Sequence, residues 1–255
     1  MIETAWVDVP ADVLPSVVGV VVLAAITTVV LAVFRVPHVW APIRAIARGA
    51  VQLAVISVIL SGIITSPLWI GLALAVMLCI AASVATGRVG WSRRAALTMS
   101  SSIVAGVLVA GVTVFTTGAL EFTSRYALAI GAIIIGNAMS IATLTGRMFT
   151  SAVIDHWDEV EGWLALGAPP RASTVYLARR AVREALVPTV DQTRTTGLVV
   201  LPGAFVGAIF GGISPIEAGR FQLVVLAAIL AAGSVTAALV VSWMGPVQVK
   251  PVALR

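Results

Sequence analysis

The chain has 255 residues, of which 60% are apolar and 11% are charged. A soluble domain of this length carries charge on roughly a quarter of its positions, so the composition excludes an ordinary soluble protein and indicates a chain dissolved in a lipid bilayer. The basic residues stand between apolar runs rather than among aromatic residues, which argues against a nucleic-acid partner. The single cysteine, Cys79, lies in an apolar run and excludes a disulfide framework within the chain.

Seven apolar stretches approach or reach the roughly 20 residues that a helix needs to cross a bilayer. They predict a single all-α membrane domain over residues 1–255 with seven spans, at 13–34, 49–65, 68–86, 95–117, 126–145, 195–213 and 221–243. Residues 1–12 contain three acidic residues and no basic one, so we expect the first stretch to remain as a helix rather than to be cleaved as a secretory signal. Pro67 predicts a tight hairpin between the second and third spans.

The basic residues predict the orientation of these spans. All of them except Arg125 and Arg220 fall in the segments after the first, third and fifth spans and in the C-terminal tail. Short cationic loops remain in the cytoplasm. The sequence therefore predicts a multi-pass protein of the plasma (inner) membrane, with its N-terminus outside and its C-terminus in the cytoplasm.

The longest predicted loop, residues 146–194, contains two amphipathic segments. The first is apolar on one face and acidic in its first turns, and Gly167 with the two following prolines ends it; its apolar face is Val153, Trp157, Val160 and Leu164. The second carries arginines opposite its apolar face and is predicted to end at Pro188; these arginines are Arg179, Arg180 and Arg183. By pattern alone, the loop either covers the bundle as interfacial helices or binds a soluble partner.

A local motif favours the second alternative. Glu161-Gly162-Trp163, with Gly167 after three more residues, resembles the E-A-A-x-x-x-G coupling motif of ABC-transporter permeases, a short helix that docks in a groove of the ATPase subunit. Neither residue after the glutamate is alanine here. The resemblance implies ATPase-coupling roles for Glu161, Gly167, Ala168, Pro169 and Arg171.

A wider resemblance covers the chain from the second span to the seventh. The segments that carry it are residues 48–53, 135–139, 164–173, 185–191, 197–203, 211–218 and 220–222. They resemble the FetB-like family of ABC permeases, whose bacterial members are associated with iron export and whose plant relatives are associated with aluminium tolerance. Membership implies a homodimer of permeases paired with ATP-binding subunits, which hold the ATP and Mg²⁺. Where the family commonly reads Leu-Pro-Gly-Met-Met, this chain has Ala204 and Phe205 after Gly203.

Polar and conformationally special residues inside the spans are candidates for the translocation pathway, because polar groups in a bilayer cost free energy unless they are paired. Gln52 serves either an interhelical hydrogen bond or cargo. Asn137 and Met139 offer an amide oxygen and a thioether, and packing is the alternative for both. In the sixth span, Pro202 with Gly203 and Gly207 predicts either a close helix contact or a hinge beside a cavity.

The other function classes are judged by the motifs that each requires and that this sequence does not contain. No G-x-x-x-x-G-K-[ST] phosphate loop exists and Lys250 is the sole lysine, so a motor must come from another subunit. A self-contained secondary transporter or channel remains the main alternative, although no inverted repeat or buried carboxylate is evident. An intramembrane hydrolase needs a base facing a serine at membrane depth, and none is found, so we expect a transporter subunit and not an enzyme. Neither histidine has a second ligand at metal-binding spacing, which leaves the metal ligands unassigned.

Overall fold

The computed structural model describes residues 13–63 and 67–252, and the side chains of 58–63 lie outside this description. These residues form ten α-helices, and among them no β-strand occurs. They divide into two compact units, Met1–Ile63 and Ile64–Arg255.

The first unit consists of two packed helices, α1 (Val13–Val33) and α2 (Ala41–Ile63). Helix α1 has no charged residue, and among its described side chains only Ala24 is buried in the unit. Most of its exposed residues are valine, leucine or isoleucine. Such a surface is stable in contact with lipid and not with water.

The second unit is built around four long helices: α3 (Pro67–Val89), α4 (Arg93–Thr116), α5 (Ser124–Asp155) and α10 (Pro215–Met244). Helix α10 packs against α4 and α5, and α3 packs against the opposite sides of the same pair. Hydroxyl side chains of Ser92, Thr123 and Ser214 accept hydrogen bonds from backbone N–H groups at the starts of α4, α5 and α10. These N-caps explain why the three helices begin where they do.

Four shorter helices connect α5 to α10. They are α6 (Trp157–Ala165), α7 (Pro170–Ser173), α8 (Val175–Thr195) and α9 (Gly203–Phe210). Helix α8 packs against α5 and α10, and α9 packs against α10.

Small residues allow the long helices to approach closely. A Cβ atom at Gly106 in α4 would overlap the Thr236 hydroxyl and the Ala232 carbonyl of α10. A Cβ at Gly233 in α10 would overlap Ile141 of α5. Lipid offers no hydrophobic force between membrane helices, so this close van der Waals packing is the main source of their association.

Five of the described helices are long and apolar enough to cross a membrane: α1, α3, α4, α5 and α10. The all-helical membrane fold is thereby confirmed, while seven spans and the orientation stay predictions. Helix α2 begins at Ala41, eight residues before the predicted second span. The end of that span and the turn before Pro67 lie outside the described residues.

Three predicted helix boundaries are wrong. The sixth span, 195–213, is not one helix, since α8 ends at Thr195 and the eight-residue α9 begins only at Gly203. Pro202 is the residue before α9 and not a helix-interior proline. Pro188 does not end α8, which continues seven residues beyond it. Helix α5 extends ten residues past the predicted end of the fifth span and absorbs the start of the first amphipathic segment, with the break at His156.

Candidate functional site

The predicted coupling helix is α6, and its inner face is held firmly in the fold. Val160 is 1% exposed and packs in a cluster with Phe149 and Val153 of α5 and with Leu177 and Ala181 of α8. The predicted apolar face is thus confirmed as the packed one. Because α6 shares one core with α5 and α8, a force on α6 acts directly on both of these helices.

The outer face of α6 is free in this chain. Glu161 and Gly162 are exposed, as are 58% of Trp163 and 82% of Leu166. Glu161 forms no ion pair with any described residue. Two large apolar side chains are thus exposed beside a carboxylate that has no ion-pair partner among the described residues.

Two of the predicted coupling residues close this helix. Gly167 has a positive φ of 85°. Its N–H donates to Leu164 O at 3.0 Å, and the N–H of Ala168 donates to Trp163 O at 3.0 Å. These paired bonds form a Schellman motif, which requires a left-handed residue at the position of Gly167. Pro169 then precedes the single turn of α7.

The fifth coupling residue, Arg171, binds the end of α10 within the same chain. Its guanidinium donates to Ser242 O at 3.3 Å, and Arg94 donates to Trp243 O at 3.3 Å. The buried hydroxyl of Thr174 donates to Gly245 O at 2.6 Å. The last carbonyls of a helix have no partners inside it, and cations are favoured there by the helix dipole. The segment after α6 is therefore tied to the C-terminal end of α10.

Helix α8 leads from this end of the bundle into its interior. A Cβ at Gly233 would lie 3.5 Å from Leu186 of α8 as well as against Ile141 of α5. Gly233 is eleven residues before the end of α10, which places Leu186 roughly 17 Å into the bundle at about 1.5 Å per residue. The second half of α8, predicted to be part of a cytoplasmic loop, thus packs alongside the long helices.

The ion pairs of α8 are local. Arg180 Nε donates to Glu184 at 2.7 Å, and this hydrogen bond raises the pKa of Arg180 above its usual range. A guanidinium nitrogen of Arg194 lies 3.5 Å from a carboxylate oxygen of Asp191, so these two side chains form an ion pair.

Between α8 and α9 the chain leaves helical geometry over residues 196–202. Gly197 has a positive φ of 86°, its N–H donates to Val200 O at 2.9 Å, and three N–H groups after it return to Thr195 O. The apolar side chains here are open to the surroundings, with Leu198 90% and Val199 80% exposed. Backbone that departs from a helix at membrane depth is tolerated where it lies against protein or a cavity.

Gly203 and Gly207 of α9 have no close neighbour within the part of the chain that the structure describes. A Cβ at Gly203 or at Gly207 would meet nothing within 4 Å. Helix α9 rests on α10 through Phe205, which lies 3.9 Å from the position of a Cβ at Gly219. Close packing inside one described chain therefore does not require Gly203 and Gly207, and a hinge or a contact with a second copy stays open for them.

The other predicted pathway residues are Asn137, Met139 and Gln52. Asn137 is half-buried on α5, and its amide nitrogen donates to Ile133 O of its own helix at 2.9 Å. Met139 packs against the central cluster between α3, α4, α5 and α10. Gln52 is exposed on α2, in the first unit. Their roles in transport stay predictions.

Three buried polar groups were not singled out by sequence reasoning. The Gln222 Oε1 atom on α10 and the hydroxyls of Ser102 and Thr145 are buried, and none finds a hydrogen-bond partner among the described residues. Thr236 donates to Ser102 O at 3.2 Å and joins α10 to α4. The signal that could have found them is a polar residue inside an apolar helix. No group of three or more His, Cys, Asp or Glu side chains forms a possible metal site within 13–63 and 67–252.

The described helices define a multi-pass integral membrane protein whose one acidic, exposed helix is tied to the bundle. The chain belongs to the family described as uncharacterised protein family UPF0014, whose model matches residues 14–246.

Three relatives show what the family contains. The UPF0014 membrane protein STAR2 of Oryza sativa subsp. japonica is 36% identical over 197 residues, covering 76% of this chain and 69% of the relative. The protein ALUMINUM SENSITIVE 3 of Arabidopsis thaliana is 34% identical, covering 76% and 72%. The probable iron export permease protein FetB of Escherichia coli (strain K12) is 36% identical over 139 residues, covering 53% and 54%. No solved structure matches the chain.

Proposed function

We propose that this chain is the membrane permease subunit of an ABC transporter that exports iron or another metal species, with the ATP hydrolysed by a separate subunit. The observation that carries the proposal is α6, which buries Val160 in the bundle and leaves Glu161, Trp163 and Leu166 exposed. The likeness to the probable iron export permease FetB supports export as the direction of transport and a metal as the cargo. Two permeases and two ATP-binding subunits, which hold ATP and Mg²⁺, complete the transporter.

The contacts of α6 suggest how a movement of the ATPase would be transmitted to the membrane helices. Movement of the ATPase against Glu161 would shift α6 together with its shared core on α5 and α8. Arg171 and Thr174 would pull on the end of α10 at the same time. The irregular residues 196–202, between α8 and α9, would absorb the change in angle as a hinge. The pathway would alternate between inward and outward openings around this hinge.

Charge reversal at α6 tests the proposal. We expect Glu161→Lys to lower co-purification of a co-expressed phosphate-loop ATPase subunit of the transporter by about tenfold or more, because a charge pair at the interface becomes a repulsion. The matched control is Glu121→Lys, since Glu121 is also exposed but lies between α4 and α5. Unchanged co-purification of the Glu161 variant, with thermal stability equal to that of the parent, contradicts the proposal.

A second candidate is a self-contained secondary transporter, and the irregular segment between α8 and α9 favours it, because interrupted helices form the substrate sites of many such proteins. The purified chain in liposomes separates the two functions. Uphill metal transport driven by an ion gradient, without ATPase or ATP, supports the second candidate and removes the first.

A further inference from the structure

A cleft of about 350 Å³ lies between α8 and α10, and no residue of α6 lines it. Its apolar wall includes Val175 and Val182 of α8 and Ala238 and Val241 of α10. The two helices run in opposite directions here, since Thr174 binds Gly245 at one end while Val182 and Ala238 lie farther along. The cleft therefore extends from the end of α10 toward the interior of the bundle.

Two arginines line the same cleft, Arg171 and Arg179. Carboxylates pair with Arg180 and with Arg194 but, among the described residues, with neither of these two. One guanidinium nitrogen of Arg171 donates a hydrogen bond to Ser242 O, and this bond holds the side chain at the cleft. Its remaining N–H groups and those of Arg179 are available to an anion.

The end of the cleft that holds Arg171 lies where a membrane surface is expected. Helix α10 is long and apolar enough to span a bilayer, and Ser242 and Gly245 of the cleft lie at its C-terminal end. Trp243 is 56% exposed at that end, and Trp91, in the turn before Arg94, is 72% exposed. Exposed tryptophans collect at the headgroup level of membranes.

We propose that the α8–α10 cleft binds one anionic phospholipid, with its phosphate on Arg171 and Arg179 and an acyl chain along the apolar wall. Guanidinium groups bind phosphate through paired N–H donors, and basic pockets between membrane helices on the cytoplasmic side hold acidic lipid headgroups. A soluble anion uses only the arginines and leaves Val182 and Ala238 uncovered. A lipid uses both ends of the cleft and anchors α8, the helix that leads into the hinge.

Lipid retention tests this proposal. The full chain is placed in nanodiscs of equal parts phosphatidylglycerol and phosphatidylcholine, extracted into mild detergent, and the retained lipids are counted by mass spectrometry. We expect retained phosphatidylglycerol to exceed phosphatidylcholine. Arg179→Gln is expected to reduce this excess about fivefold, since one arginine near an acidic lipid contributes about a factor of five. Val182→Trp, which fills the apolar part of the cleft, is expected to reduce retention of both lipids.

Matched controls separate the cleft from general surface charge. Arg183→Gln lies on the same helix but outside the cleft, and Val187→Trp places the same bulk on an exposed position of α8. Both are expected to retain lipid as the parent does. Equal retention of the two lipids by the parent overturns the proposal, as does an equal loss in Arg179→Gln and Arg183→Gln. Displacement of phosphatidylglycerol by excess inorganic phosphate would also overturn it and identify a simple anion site.

Discussion

The side chains that hold the end of α10 come from three other parts of the second unit. Arg94 is the second residue of α4, Arg171 lies in α7, and Thr174 lies between α7 and α8. No basic residue occupies the last turn of α10 itself. Carbonyls at a helix end must find partners elsewhere when water is scarce, and here tertiary contacts supply them. The predicted coupling residue Arg171 thus has a structural contact whether or not it meets a partner.

At the residue scale, Gly106 gives the sharpest stability prediction. We expect Gly106→Ala to lower the free energy of unfolding by about 1–3 kcal/mol, because its Cβ would overlap the Thr236 hydroxyl and the Ala232 backbone and would push α4 away from α10. Thermal unfolding of the purified protein in detergent, followed by light scattering or intrinsic fluorescence, measures the change.

Gly111 is the control, because it lies on the same helix and a Cβ there would meet nothing within 4 Å. Alanine is favoured over glycine in a helix by about 0.5–1 kcal/mol, so Gly111→Ala should leave the unfolding temperature unchanged or raise it. Equal unfolding temperatures for the two variants would refute the close contact at Gly106.

At the scale of elements, the irregular residues 196–202 and the short helix α9 occupy most of the predicted sixth span. Gly197 in this segment and Pro188 in the preceding helix affect the backbone differently. Gly197 adopts a left-handed backbone and takes part in the turn that separates the helices, whereas Pro188 stays within a continuous helix. The irregular residues 198–201 are apolar, so hydropathy alone does not distinguish them from a helix.

The proline within α8 leads to a second stability prediction. We expect Pro188→Ala to raise the unfolding temperature, because alanine restores an N–H that can bond the Glu184 carbonyl and removes the steric clash of the proline ring; the gain is about 1–3 kcal/mol. Pro188 is exposed, so little packing is lost. Differential scanning fluorimetry of the detergent-solubilised protein measures the gain.

Pro202→Ala serves as the comparison for that measurement. Pro202 has extended geometry, with φ −62° and ψ 143°, immediately before α9. Alanine there restores no helical bond and gives the unfolded chain more freedom, so no increase in stability is expected. A lower unfolding temperature for Pro188→Ala would show that the proline is required by the packing of α8.

At the scale of the whole molecule, the open question is orientation across the membrane. The distribution of basic residues predicts that Lys250 lies in the cytoplasm and that the segment around Glu121 lies outside. The fold is consistent with this arrangement in one respect, since Arg94, Arg171 and the end of α10 lie at a common end of the bundle.

Labelling from one side of the membrane tests the orientation. In a Cys79→Ser background, a membrane-impermeant maleimide added to intact cells should label Glu121→Cys and should label Lys250→Cys only after the cells are opened. Both positions are exposed in the structure, so access to the thiol is not limited by burial. The reverse pattern would invert the predicted topology and remove α6 from the cytoplasm.

Composition and hydropathy alone predicted that the chain lies in a lipid bilayer, and they located most of its long helices. Apolar runs report directly on contact with lipid, and they placed α1, α3 and α4 within about three residues of their observed ends. The apolar face of α6 and its end at Gly167 were also predicted, because helical spacing and a left-handed glycine are local properties of the chain. The family resemblance needed only short segments of sequence.

Contacts between residues far apart in the chain became visible only in the folded structure. Arg171 meets Ser242 across 71 positions, and Gly106 is required by Thr236 and Ala232 of another helix, so no local pattern contains either relation. The interruption at 196–202 and the entry of α8 into the bundle were likewise missed, because hydropathy measures transfer into lipid and does not specify backbone angles. The contact of Leu186 and Ile141 with Gly233 likewise joins three helices and is contained in no local pattern.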